Sequence, residues 1–490
     1  MTEYVIGLDI GTTCTKCVVI DRDGRIVGQG SRGYDLLSQG NCVEQRAQDW
    51  IDASAFVIRQ ATEHLDRSAI VAISCSTQGG STVAIDSHGH FIGNAWTWMD
   101  KRSDSQVKQL DEKLGNAYFY HSTGSQLSAA LDAAKLLHMK QMPQYQDAQK
   151  YYTTLEVINH WLTGNAAIDP SNAAMRQLYS IDAMDWDDRI LDAVGITRSV
   201  LPNILPAGSY VGTLSESACK ATGLLNSVRV YNGAHDQYCA SIGSGAIADG
   251  DMLLSAGTTW VLMGISKKPL YTDSFIMPGR HPIDGLYGAI ASLVGSGASM
   301  QWFHDQLTDL PFDEMNREVP ARKEKTKDLF FLPYLTGAPF PIRDPKAKGA
   351  FVGLTLEHDR VDMALAVMEG IAFGVRRAVA EFAKNGTEIC SIKIMGGASK
   401  SDPWIRIISA ASGVTIHKLN TSDACALGAA MIAACSTGWF SDLQDAADKF
   451  VRVSDVFMPD PDDRAWYDRK FAEYDRLWSF LQKFYKGECV

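Results

Sequence analysis

The chain carries the same short phrase twice, once in each half. Near its start, Leu8-Asp9-Ile10-Gly11-Thr12-Thr13 leads into the apolar run Cys17-Val18-Val19-Ile20. Later, Leu254-Ser255-Ala256-Gly257-Thr258-Thr259 leads into Trp260-Val261-Leu262-Met263. Each copy reads as an apolar strand, a tight turn and a second apolar strand. Glycine lets backbone N–H groups come close to a phosphate, and the threonines add hydroxyl donors. Hairpins often turn at glycine, so one copy says little. Two copies opening two halves imply a duplicated fold that holds a polyphosphate between them. The copies differ at one informative position, Asp9 against Ser255. A symmetric pair of carboxylates would repel a polyphosphate, whereas a single one can hold Mg²⁺ beside it, often through water. Taken alone, Asp9 also reads as a turn-capping aspartate.

A length of 490 residues calls for two large domains. No linker of low complexity separates them; the expected division is 1–245 and 246–490, with the boundary in 243–250. The net charge of −11 disfavours nucleic acid and anionic membrane as partners. No apolar run of ~18 residues lacks a charge, so no membrane span is expected. Glu3 stands just inside the first strand, which argues against a signal peptide and for the cytoplasm. The ten cysteines are scattered, as reduced thiols usually are. Cys14 and Cys17 form a Cys-x-x-Cys on a hairpin, with no second pair to complete a zinc site, so they read as structural.

Expected strands fall at 5–8, 17–20 and 26–28, followed by a helix over 47–64 and strands at 70–74 and 82–85. That is the ribonuclease H-like order of actin-type ATPases. The second half repeats the theme with strands at 252–255 and 260–265, a helix opening near Gly297, a long helix over 361–383 and a strand at 392–395. The fold class expected is α/β, two actin-like domains flanking a catalytic cleft. A final amphipathic helix containing Trp466, Phe471, Tyr474 and Trp478 reads as core packing.

Two further segments carry chemistry. His235-Asp236-Gln237 follows an expected strand at 228–231 and the Gly233-Ala234 turn. A carboxylate at a strand end is well placed to accept a proton from a hydroxyl whose oxygen attacks a γ-phosphorus. As a lone residue, Asp236 reads at least as well as a helix N-cap. Met395-Gly396-Gly397-Ala398-Ser399 ends a strand and opens a helix; its small residues let a flat ring lie against the backbone, or simply make a tight turn. A Walker P-loop is absent, and no complete G-x-G-x-x-G follows a strand, which excludes the common P-loop and Rossmann modes.

With these features in place, the chain resembles, essentially end to end, the FGGY carbohydrate kinases of the actin, hexokinase and Hsp70 superfamily. Gly349-Ala350-Phe351-Val352-Gly353-Leu354 with Asp362-Met363, Ala366 and Glu369 fits the family's C-terminal signature. Lys135-Leu136-Leu137 fits the other signature, with His138 where tryptophan is usual. Trp98-Met99-Asp100-Lys101-Arg102, Leu332-Pro333-Tyr334-Leu335-Thr336-Gly337 and Leu427-Gly428-Ala429-Ala430 are similar to family landmarks.

The resemblance implies an ATP-dependent, Mg²⁺-assisted sugar kinase. It implies Asp236 as the base and Asp9 as the magnesium-associated aspartate. Thr12, Thr13, Gly257 and Thr258 match phosphate contacts, with Gly11 and Thr259 in the same turns. Gly297, Gln301, Gly397 and Ser401 match nucleotide contacts, with Gly396 and Ala398 alongside; asparagine is common at the last of the four. Gln78, Trp98, Asp100 and Gln237 fall where the sugar lies. Glu369 and Asp100 are the rival carboxylates for the base, but their motifs read as helix packing and sugar positioning. Xylulokinases usually read Gln-Met-His-Gly, and glycerol kinases Gln-Arg-Glu-Thr, where this chain reads Gln78-Gly79-Gly80-Ser81. The expectation is that Gly79 and Gly80 leave room for a larger or differently bound sugar. A xylulose-like ketopentose phosphorylated on a primary hydroxyl is the first expectation; another ketose, a polyol or a gluconate-like aldonate comes next. A non-catalytic actin-like ATPase is the reading from a different class, against which Asp236, Trp98 and Asp100 argue. A homodimer is compatible with all of these.

Overall fold

The computed structural model describes residues 3–338, 340, 344–420 and 423–488. The chain divides into two compact units. The first holds residues 1–247, 278–288 and 423–451; the second holds 248–277, 289–422 and 452–490. The first stretch thus ends two residues beyond the expected 245, and the chain returns to the first unit twice. The second return has a clear physical cause in the helix Ala424–Ser436, which is made almost wholly of small residues. A Cβ on Gly7 would lie 2.0 Å from the Ala426 carbonyl oxygen, and one on Gly243 2.0 Å from that of Ala424. Only glycine lets this helix seat so closely on the first unit.

The main sheet of the first unit runs in the order Tyr210–Thr213, Arg229–His235, Ile70–Thr77, Tyr4–Ile10, Cys14–Asp21, Ile26–Gly33. Its three middle strands are parallel and its flanks antiparallel. Alternation sorts its faces. Ile6, Leu8, Ile10, Cys17 and Val19 join one core with Trp50, Val57 and Ile58 of the helix Ala47–Ala61 and Leu155, Ile158 and Leu162 of Thr154–Thr163. Gly7, on the opposite face, meets Ala424–Ser436. Thr82–Ile85, a strand as expected, lies in a second sheet with Leu37–Gln39, Cys42–Gln45, Phe91–Trp96 and Lys150–Thr153.

The second unit repeats the pattern. Val453–Phe457, Thr415–Leu419, Ser391–Met395, Asp251–Ala256 and Trp260–Ser266 lie in that order in one sheet. Again the three inner neighbours are parallel and the outer pairings antiparallel. The helix Arg360–Lys384, opened by a capping box at Asp359 and Asp362, crosses its core together with Asp402–Ser412. The last helix, Pro461–Lys486, packs Trp466, Tyr474 and Trp478 into the same core. Among the described residues, no helix is long and apolar enough to cross a membrane.

Candidate functional site

In the first unit the candidate residues gather at the carboxyl ends of three parallel strands. Asp9 is level with Ser76 and Ser76 with Ala234; Ile10, Thr77 and His235 form the next row. The three chains leave the sheet with Gly11, Gln78 and Asp236. Register alone therefore brings together residues far apart in sequence.

The turn Gly11-Thr12-Thr13 is held from several sides. Gly11 N–H donates to the Cys14 carbonyl at 3.0 Å. Trp98 Nε1–H donates to Thr12 Oγ1 at 3.0 Å, and the indole is 46% exposed. The Gln45 amide donates to the Thr12 carbonyl, and its Oε1 accepts from Gln78 Nε2 at 2.7 Å. This relay orients both amides and leaves Gln78 Oε1 buried without a partner among the described residues. Gln237 Oε1 is in the same condition. Such buried, unpaired acceptors are rare and need an explanation.

Asp9 accepts from Ser76 Oγ at 2.8 Å. Burial pushes its carboxyl up to about 7, and the nearby charge of Asp236 adds to that, against the Ser76 hydrogen bond and Lys16. Lys16 is itself paired with Asp423 at 2.7 Å.

Asp236 is the first residue of the helix Asp236–Ser244, not its cap. The cap is His235, whose Nδ1 accepts from the Gln237 N–H at 3.3 Å. The Asp236 side chain is 26% exposed and lies 3.3 Å from His235 Nδ1. It is therefore free of the capping duty that its position in sequence allowed.

Two sequence expectations fail here. Asp100 is fully buried: it takes hydrogen bonds from Val43 N–H at 2.8 Å and Arg102 N–H at 3.0 Å, and a bridge from Arg102 Nη2 at 2.7 Å. With its oxygens so engaged, it fixes the loop carrying Trp98 and presents no open face. Gly79 and Gly80 leave no vacancy either. A Cβ on Gly79 would lie 2.5 Å from His235 Cδ2, 2.8 Å from His235 Nε2 and 3.0 Å from Met175 Cγ. Gly80 has φ +63°, and its Cβ would lie 3.1 Å from Leu131 Cδ2. The glycines exist because neighbours fill their space. Glu369, the other rival carboxylate, is buried in the second unit against Lys470.

The second hairpin turn, Gly257-Thr258-Thr259, is exposed. It borders a cavity of about 640 Å³ lined by Gly257, Thr258, Gly297, Gln301, Gly397, Ala398 and Ser401. Thr259 and Gly396 are not in that lining. Gly396 has φ +95°, and its Cβ would lie 2.8 Å from the Ala256 backbone, so it sets the turn. The helix Ser296–Leu307 starts against the hairpin, with Ala298 N–H donating to the Thr258 carbonyl at 2.9 Å. A helix N-terminus beside a glycine turn favours anions. Ser401 Oγ caps Asp402–Ser412 and bonds Asn316 Oδ1 at 2.6 Å.

Several residues escaped the sequence reading: Gln45, Ser76 and His235 in the first unit, and Trp302, Phe312, Asn316, Met368 and Trp404 around the cavity. Of these, only Trp404 offered a local signal, three residues after the Ser401 cap. Trp260 and Trp404 stand with ring centroids 5.1 Å apart and give the cavity an aromatic wall.

Comparison with known proteins gives two matches to models of one family. The N-terminal domain of the FGGY family of carbohydrate kinases matches residues 4–243, and its C-terminal domain matches 252–437. A xylulose kinase of Bacillus subtilis (strain 168) is 26% identical over 485 residues, covering 97% of each chain. A gluconate kinase structure from Lactobacillus acidophilus superposes with a TM-score of 0.93 at 28% identity, over 100% of both chains. A ligand-bound xylulose kinase structure from the same organism has a TM-score of 0.92 at 28% identity, over 99% of this chain and 100% of that one.

Proposed function

Because the chain belongs to the FGGY family of carbohydrate kinases, we propose that it transfers the γ-phosphoryl group of Mg²⁺-ATP to a primary hydroxyl of a xylulose-like ketopentose. Membership makes it a phosphotransferase with an alcohol acceptor and ATP as donor. In this reading the first unit takes the sugar and the second takes the nucleotide. The observation that carries it is Asp236, partly exposed at the carboxyl end of a parallel strand with Gln237 and His235 beside it. Asp236 accepts the hydroxyl proton as the oxygen attacks phosphorus. Gln78 Oε1 and Gln237 Oε1 offer acceptors for sugar hydroxyls, and Trp98 a flat wall. The cavity of the second unit suits a purine between Trp404, Gly397 and Ala398, with its Gly257-Thr258 turn reserved for phosphates.

Among the described residues, no group of three or more His, Cys, Asp or Glu could hold a metal ion. A lone carboxylate such as Asp9 fits Mg²⁺ nonetheless, since that ion keeps several waters and takes its other ligands from phosphates. When bound, it would neutralise charge on the phosphates.

Among the described residues, three cations near this face are engaged. Lys16 pairs with Asp423, Arg102 with Asp100 and Glu44, and Lys135 with backbone carbonyls. That favours a neutral sugar over an aldonate, the second reading, which the gluconate kinase likeness supports. ADP release would be measured with xylulose, ribulose, glycerol and gluconate as acceptors. Xylulose should give the highest kcat/KM. A preference for gluconate would install the second reading; ATP turnover that no sugar stimulates would refute both.

A further inference from the structure

The imidazole of His235 fills the space that the missing side chain of Gly79 would take. We propose that this ring is a specificity-determining group of the sugar site, its Nε2–H donating to an oxygen of a neutral sugar. The proposal rests on the sugar-kinase reading above.

The ring is firmly placed. His235 N–H donates to Ser171 Oγ at 3.0 Å, and Ser171 in turn bonds the buried Asp169. Its Nδ1 faces the Gln237 N–H at 3.3 Å, and its ring meets Tyr238 edge to face at 6.1 Å and 76°. Nδ1 has both the Gln237 N–H and Asp236 Oδ1 at 3.3 Å; in the tautomer in which it accepts the backbone N–H, the neutral ring bears its proton on Nε2. Nε2 has no hydrogen-bond partner among the described residues, and the side chain keeps 7% exposure.

The position gives that donor a use. His235 directly precedes Asp236, and its Cδ2–Nε2 edge lies over Gly79, the residue after Gln78, whose Oε1 is buried and unpaired among the described residues. The sugar site would then combine acceptors from Gln78 and Gln237 with one donor from His235. A polyol or ketose, whose oxygens both give and take hydrogen bonds, matches that set. The residue type at 79 and the residue type at 235 are thereby coupled: a side chain at 79 and a ring at 235 compete for one volume.

Two variants separate the donor from the cap. His235→Asn keeps a side-chain acceptor for the Gln237 N–H, since Asn caps helices well, but removes Nε2–H. His235→Gln carries an amide N–H to the reach of Nε2 and gives up the cap. With xylulose as acceptor, His235→Asn should raise the sugar KM about tenfold, with ATP KM and Tm near wild type. His235→Gln should keep more of the sugar affinity at a lower Tm. An unchanged xylulose KM in His235→Asn, with wild type turning xylulose over, would overturn this proposal alone. Failure of wild type to phosphorylate any neutral sugar would overturn the parent reading and this one with it.

Discussion

Gly297 offers a test in which the structure sets the size of the effect. A Cβ there would lie 1.9 Å from the Gly257 carbonyl oxygen, 2.9 Å from its carbon and 3.1 Å from the Thr258 oxygen. Non-bonded carbon and oxygen need roughly 3.3 Å, so Gly297→Ala must part the helix start from the hairpin by about 1.4 Å. All three atoms are backbone, so no side chain can swing away. The Ala298 N–H bond to Thr258, 2.9 Å long, is strained by the same shift. Overpacking of this kind costs ~1–3 kcal/mol, which the better helix propensity of alanine offsets only in part. Displacing the turn proposed to hold phosphate by more than an ångström should lower kcat by ~10²-fold. ATP affinity by calorimetry, kcat at saturating sugar and Tm would be measured together. The expected result is weaker ATP binding, a loss in kcat of that order and a Tm lower by a few degrees. Gly397→Ala is the control for the fold alone: its Cβ would meet only the Ala256 oxygen, at 3.8 Å, so its Tm should stay at the wild-type value. Wild-type kcat and ATP affinity in Gly297→Ala would show that the helix start does not set the turn.

Asp236→Asn keeps the shape of the side chain but cannot take a proton, so kcat should fall by ~10²–10⁴-fold with ATP binding intact; near-normal turnover would remove Asp236 from the mechanism. The Asp9 carboxyl, at about 7 in the folded state, stands above its unfolded value, so the folded protein binds the extra proton in between. Its contribution to stability should therefore decline as pH rises from about 4 to about 7, by at most ~1.4 kcal/mol per unit. Urea midpoints across that window in metal-free buffer should show a shallower fall for Asp9→Asn. Lys135 Nζ is hydrogen-bonded to the carbonyls of Gly80 at 2.6 Å, Trp96 at 3.2 Å and Thr97 at 2.7 Å. Lys135→Met should leave these buried acceptors unpaired, at ~1–3 kcal/mol each, lowering Tm and raising the sugar KM; an unchanged sugar KM would detach this clamp from the sugar site.

The hairpins were legible because their information is local: an apolar run, a glycine and two threonines specify strand, turn and strand within a dozen residues. The long helix at Arg360–Lys384 and the last helix at Pro461–Lys486 were legible for the same reason, through their 3.6-residue periodicity. What the sequence hid are the contacts made at a distance. Glycine at 79 looks like space until His235 is seen beside it. Asp100 looks like a sugar ligand until Arg102, Val43 and their hydrogen bonds enclose it. Asp236 reads as a helix cap on paper, and only backbone geometry shows that its neighbour His235 holds that role.

Parallel strands explain why the chemistry collects where it does. Tyr4–Ile10, Ile70–Thr77 and Arg229–His235 run the same way in register, so whatever follows each one emerges at a single edge. Open α/β sheets place ligands at the carboxyl ends of strands for this reason. Asp251–Ala256 and Ser391–Met395 do the same in the second unit: Ser255 is level with Met395, and Gly257 and Gly397 follow onto the same cavity. The two edges then diverge in what surrounds the shared turn. The first is tied down by Trp98 and Gln45 and fringed by Asp9 and Asp236, a setting for proton transfer. The second is exposed, has serine in place of aspartate, and meets a helix N-terminus and an aromatic wall, a setting for an anionic nucleotide. A carboxylate at position 255 would put negative charge beside that helix start and turn. Ser255→Asp should accordingly weaken ATP binding more than it changes the sugar KM, and equal effects on both would count against this division of roles.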